Sequence, residues 1–219
     1  MVMQANGQAP NLSEPAVLYV MDAYCGWCWG FSQRMGEFEA ANRQRVAFTA
    51  ISGGLFLGSR ASAIAHYPHI PEANARIASL TGAVFGEGYQ ALLREGTAVM
   101  DSLDAARALA VLRAQAPERA VHWAHELQAA FYLAGRSLAE PATLASIARA
   151  NGLDEDAALN ELAAPSTLAR AQADFALARQ LGVTSYPSLL FIDERGVQPL
   201  PATGTSLDAL NQRLDALLA

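Results

Sequence analysis

An uninterrupted apolar hexapeptide, Ala16–Met21 (AVLYVM), leads almost directly into the only two cysteines of the chain, Cys25-Gly26-Trp27-Cys28. A run with no alternating polar positions reads as a strand buried on both faces, the kind found where helices cover both sides of a sheet. Asp22-Ala23-Tyr24 interrupts it, and the cysteine motif then opens a helix expected to run to about Asn42. Residues 46–52 (VAFTAIS) are again strand-like, and Gly53-Gly54 marks a turn after them. The unit is β-α-β, with both cysteines at the first strand-to-helix junction.

That position decides what the cysteines are for. A secreted scaffold spreads cysteines to staple distant segments, whereas a pair three residues apart closes a loop too short to restrain the unfolded chain by much. The chain needs no staple: 219 residues, 52% hydrophobic and 16% charged, suffice for a core. A net charge of −6 argues against a basic nucleic-acid groove and against a polybasic membrane patch. No uncharged apolar stretch reaches the ~18 residues of a membrane span. Residues 1–15 show neither a positive n-region nor an apolar h-region. The expected setting is cytoplasmic, with no nucleic-acid or membrane partner.

Residues 57–164 change texture to long alanine- and leucine-rich helical stretches with almost no strand signal. Pro117 opens one candidate helix and Gly135 stops it; Glu140-Pro141 opens the next and Asn151-Gly152 ends it. A helix from Pro165 to Leu181 is expected to bury Leu168, Phe175, Leu177 and Ala178 on one face. Residues 188–192 (SLLFI) and Val197–Leu200 then form a hairpin around Glu194-Arg195-Gly196, before a last helix capped by Thr205 with Asp208. The division is residues 1–56 with 165–219, and an inserted helical block at 57–164.

The chemistry follows from helix physics. Disulfide exchange needs a thiolate, and the first turn of a helix offers unpaired N–H groups and a positive dipole end that favour one. With Cys25 as the cap, Cys28 lies one turn on, about 5–6 Å away between Cβ atoms. Cys25 is then the exposed attacking thiol and Cys28 the shielded one that resolves the mixed disulfide. A second constellation, Gly182-Val183-Thr184-Ser185-Tyr186-Pro187-Ser188, places a proline just before an apolar strand. That is unexpected unless its peptide bond is cis or it lies at a strand start or edge.

Strand, helix opening with CxxC, strand, helical insert, helix, then GVxxxP entering a strand resembles the DsbA-like branch of the thioredoxin superfamily. The run Asp22-Ala23-Tyr24-Cys25-Gly26-Trp27-Cys28-Trp29-Gly30-Phe31 is most similar to its cytoplasmic protein-disulfide isomerases, the FrnE-like relatives. The resemblance implies an α/β thioredoxin-like fold with a large helical insertion. It further implies Cys25 as nucleophile, Cys28 as resolving thiol and Pro187 as a cis-proline against the cysteines. Backbone groups of Tyr186 would then pair with a bound peptide as an added strand. Gly26-Trp27 is neither the Pro-His of the strong periplasmic oxidant nor the Gly-Pro of thioredoxin, so the direction of reaction stays open. The expected activity is thiol–disulfide exchange on polypeptide or small thiol substrates by a monomer or homodimer. No cofactor is expected beyond the redox-active pair, with glutathione as an external reductant.

Other readings compete. Asp22 either helps move protons to Cys28 or is a turn carboxylate, the latter preferred. Trp27 is expected to be exposed beside the cysteines and to contact substrate, with Trp29 and Phe31 in the core. A zinc-binding module would need two further ligands beside the CxxC pair, and His66 and His69 are badly spaced for it. Glutathione-dependent isomerases and transferases of the kappa and 2-hydroxychromene-2-carboxylate type share this fold, but carry serine at the first motif position and lack the second cysteine. His122, His125 and Glu126 read as a solvated helix face, and His66-Tyr67-Pro68-His69 as a loop.

Overall fold

The computed structural model describes residues 15–219; the N-terminal stretch read above as lacking a leader lies almost wholly outside them. β1 (Ala16–Met21) is buried along its whole length and is followed by α1 (Gly26–Asn42) and β2 (Ala47–Ser52). β1 pairs in parallel with β2, from Ala16 opposite Ala47 to Met21 opposite Ser52. On its other edge it meets β5 (Ser188–Asp193) in antiparallel register, Val20 opposite Ser188, and β5 continues into β6 (Gly196–Leu200). The sheet order is β2-β1-β5-β6, a thioredoxin-like sheet with β1 inside it.

Alternation along β1 divides the core. Val17, Tyr19 and Met21 point into the larger cluster with Cys28, Phe31, Phe38, Trp123 and Phe131. Leu18 and Val20 point the other way, packing with Ile51, Ala178, Leu190 and Ile192. Between β2 and the returning helix lie two short strands and six helices among the described residues. In chain order these are β3 (Ser62–Ala63), α2 (Ile70–Thr81), α3 (Glu87–Glu95), β4 (Val99–Met100), α4 (Ser102–Gln115), α5 (Ala120–Tyr132), α6 (Pro141–Ala150) and α7 (Glu155–Ala163). β3 and β4 pair over two residues only, too short to leave a period in the sequence. α8 (Pro165–Gln180) and α9 (Leu207–Leu218) complete the chain. No helix among the described residues is long and apolar enough to cross a membrane.

Two local expectations need correcting. α8 buries Thr167, Ala171, Asp174, Phe175 and Ala178, while Leu168 is exposed. The Thr167 hydroxyl donates to the Glu161 carbonyl at 2.6 Å, which turns the first helical turn toward α7 and rolls Leu168 outward. The α9 cap is Ser206, whose hydroxyl accepts the N–H of Ala209 at 3.2 Å, and not Thr205. Ser206→Ala should therefore lower stability by about 1 kcal/mol. Thr205→Ala should stay within roughly 0.5 kcal/mol; chemical denaturation of both variants checks the assignment.

Candidate active site

The strand register assembles the site. Because Val20 faces Ser188, the segment leaving β1 and the segment entering β5 meet at one end of the sheet, where β2 also ends in Gly53-Gly54. The Tyr186–Pro187 peptide bond is cis. Its Tyr186 carbonyl accepts a hydrogen bond from the Cys25 thiol at 3.6 Å. Cys25 occupies the cap position of α1, with extended backbone, and its sulfur accepts the N–H of Cys28 at 3.4 Å. The structure thus brings together Cys25, Cys28, Tyr186, Pro187 and Asp22, and both thiols are free.

Cys25 is not the exposed thiol that its motif position suggests: it is 6% exposed, against 0% for Cys28. The Cys25 sulfur meets the Tyr186 carbonyl, and beside it the motif is covered by α2, which the sequence does not link to the cysteines. Gly26 and Gly30 lie one turn apart on α1, and Ile77 of α2 presses onto both. A Cβ at Gly26 would come 2.9 Å from the Ile77 side chain, and one at Gly30 would come 2.7 Å from it. Gly26 therefore admits a covering helix rather than opening the turn. Trp27 is half-buried against the main core, not freely exposed, while Trp29 and Phe31 are core residues as expected.

On the opposite side of the thiols, the Tyr186 hydroxyl donates to the Gly53 carbonyl at 2.6 Å. A Cβ on Gly53 would stand 1.9 Å from the Tyr186 ring, so the glycine is required by that close approach as much as by the turn.

Asp22 is fully buried. Its carboxylate accepts the N–H of Tyr24 at 3.0 Å and the N–H of Leu55 at 2.7 Å, tying the start of α1 to the loop after β2. Burial raises its pKa, against hydrogen bonds from the Ser102 hydroxyl and backbone N–H groups that favour the ion. Burial likewise pushes the Cys28 thiol well above the ordinary thiol range, and the Cys25 sulfur and the Asp22 charge add to it. Asp22 is thus a turn carboxylate that also lies close enough to Cys28 to act on its charge.

The His122 region is not a solvated face. His125 bonds Ser32 at 2.7 Å and stacks on Trp29, and His122 and Glu126 both engage Asn151. Among the described residues no group of three or more His, Cys, Asp or Glu could hold a metal ion. The sequence does not point to Tyr19, Gln128 or Ile77, and it marks Gly53 only as a turn. A lone tyrosine inside AVLYVM and paired small residues at Gly26 and Gly30 are the only signals for the first three.

Residues 16–215 match the family model of the DSBA-like thioredoxin domain. The chain belongs to that family. Its CxxC dithiol therefore stands in a thiol–disulfide oxidoreductase framework. The cytosolic disulfide reductase DsbM from Pseudomonas aeruginosa, in a structure with GSH, is 26% identical over 93% of this chain and 100% of that one, with a TM-score of 0.77. A protein of Nitrosomonas europaea proposed to be a disulfide isomerase is 21% identical, covers 94% and 98% of the two chains, and gives a TM-score of 0.79. Reduced DsbA1 from Neisseria meningitidis, at 11% identity over 95% and 87%, gives 0.60. No match was found among curated proteins.

Proposed function

We propose that the protein is a cytoplasmic disulfide reductase that uses Cys25 and Cys28 to reduce disulfides of peptides or small thiols, with glutathione restoring the dithiol. The observation that carries this reading is the Cys25 sulfur at the cap of α1, held against the carbonyl that precedes Pro187. The cytosolic setting and the thiol reductant are supported by likeness to the Pseudomonas reductase solved with GSH.

Cys25, as thiolate, attacks one sulfur of the substrate disulfide. The substrate S–S bond breaks, one half leaves as a thiolate, and the other remains bonded to Cys25. Cys28 then gives its proton to the Asp22 carboxylate and attacks the Cys25 sulfur, expelling the second substrate thiolate. The protein is left with a Cys25–Cys28 disulfide, and the two substrate thiolates become thiols by taking up the proton held on Asp22 and one from solvent. Two glutathione molecules, oxidised to their disulfide, reduce the pair again. Backbone groups of Tyr186, in the loop that leads into β5, pair with an extended peptide laid across the end of the sheet, and the half-buried Trp27 gives it an apolar edge. The shallow burial of Cys25 favours slender substrates, an extended peptide or a small disulfide, over folded protein surfaces.

Turbidity of insulin in dithiothreitol or glutathione tests the reading. Catalysed precipitation well above the thiol-only rate is expected; a rate equal to the uncatalysed one, for both insulin and a small mixed disulfide, would refute it.

A further inference from the structure

Gln128 lies fully buried on α5, on a face otherwise formed by Trp123, Ala124, Leu127 and Phe131. Neither its amide nitrogen nor its amide oxygen makes a hydrogen bond among the described residues. A buried amide left so costs stability that an apolar side chain of the same shape would not. The side chain does have a polar neighbour, the hydroxyl of Tyr19. Tyr19 is fully buried in the middle of β1, its ring tilted against Phe31 of α1. Its hydroxyl lies 3.5 Å from the Cys28 carbonyl, and the Tyr19 and Cys28 side chains are buried in the same core cluster. The Tyr19 hydroxyl thus stands between the Gln128 amide and Cys28, bonded at rest to the Cys28 carbonyl and not to the amide.

We propose that Tyr19, backed by Gln128, is the hydrogen-bond donor that holds Cys28 as a thiolate during the resolving step. This rests on the dithiol cycle described above. Cys28 must shed its proton in a site whose burial opposes charge. Once Asp22 has taken that proton, the negative sulfur draws the Tyr19 O–H away from the Cys28 carbonyl. The phenol oxygen then receives the Gln128 N–H, and the two hydrogen bonds strengthen each other. The charge disappears from Cys28 as its bond to Cys25 forms, and the electron pair of the broken Cys25–substrate bond departs on the substrate sulfur. Tyr19 remains a donor throughout, because burial strongly opposes its own ionisation. Gln128 is a positioning residue acting through Tyr19, which explains an amide left unpaired at rest: its partner is complete only while Cys28 is charged.

The test is single-turnover reduction of a peptide disulfide, with the mixed disulfide on Cys25 trapped by acid quench and followed in time. Tyr19→Phe should slow its decay about tenfold, the loss expected for one hydrogen bond to a charged group. Gln128→Met should slow decay by a smaller factor while its thermal midpoint stays equal to wild type or rises, an outcome a purely structural amide would not give. Formation of the mixed disulfide should stay within about twofold of wild type in both variants. Unchanged decay in Tyr19→Phe overturns the proposal, and unchanged decay in Gln128→Met overturns the part assigned to the amide. Should the wild type form no mixed disulfide at all, it is the dithiol cycle that fails.

Discussion

Cys25→Ser should reduce disulfide exchange to the uncatalysed rate, a loss of at least about a thousandfold, because a serine hydroxyl neither ionises near neutral pH nor forms the S–S intermediate. Cys28→Ser should fail differently. Attack by Cys25 remains possible, but nothing displaces the bound half of the substrate, so a stable mixed disulfide accumulates and appears by mass spectrometry as an adduct of one substrate thiol. The asymmetry follows from the surroundings of the two sulfurs. Cys25 caps α1 and touches the carbonyl before the cis proline, whereas Cys28 has no exposed surface and a thiol that burial keeps protonated. Alkylation of the wild type should accordingly label Cys25 first. Equal labelling rates for both thiols, or an adduct stable on Cys25→Ser instead, would reverse the assigned roles.

The part of this site that was legible in the sequence is the part made by neighbours in the chain. Cys25 and Cys28 sit one helical turn apart wherever a helix begins at the motif, and AVLYVM announces the buried strand that feeds it. Pro187 was legible because a proline is out of place before SLLFI. The meeting of these two segments came from resemblance to a known fold; in physical terms it rests on the β1–β5 register, which no single stretch of sequence encodes. The burial of Cys25 was not legible at all. No local pattern announces that the Tyr186 carbonyl meets the Cys25 thiol or that Ile77 of α2 fits over Gly26 and Gly30 next to it, and a glycine between two cysteines is as easily read as an open turn. Leu168 and Thr205 failed for a related reason. Helical periodicity and cap preferences rank faces and positions locally, and in each case a neighbouring residue, Thr167 or Ser206, made the contact that decided the matter. His125 looked solvated because its partners, Ser32 and Trp29, lie on a different helix.

Gly53→Ala should be the most damaging substitution outside the cysteines themselves, and the reason is steric rather than conformational. Gly53 does not have the left-handed backbone of its neighbour Gly54, so alanine is allowed by the backbone. Its methyl group, however, would stand 1.9 Å from the Tyr186 ring, and that ring cannot give way without releasing its hydroxyl from the Gly53 carbonyl. Tyr186 is also the residue whose carbonyl meets the Cys25 thiol, so displacing the ring shifts the loop against which the nucleophile is held. A misplacement of about 1 Å at a reacting group can cost on the order of a hundredfold in rate, and that is the expected loss of turnover. Overpacking of this kind should also cost about 1–3 kcal/mol of stability. A double-mutant cycle separates this cause from a general disturbance of the turn. Tyr186→Ala removes the obstructing ring, so adding Gly53→Ala to it should cost less than about 0.5 kcal/mol further, leaving a coupling energy of roughly 1–3 kcal/mol. If the two substitutions are simply additive in urea denaturation, the methyl group is not meeting the ring. Gly53 would then matter only as a turn, and the Tyr186 hydroxyl would have no part in holding the loop against Cys25.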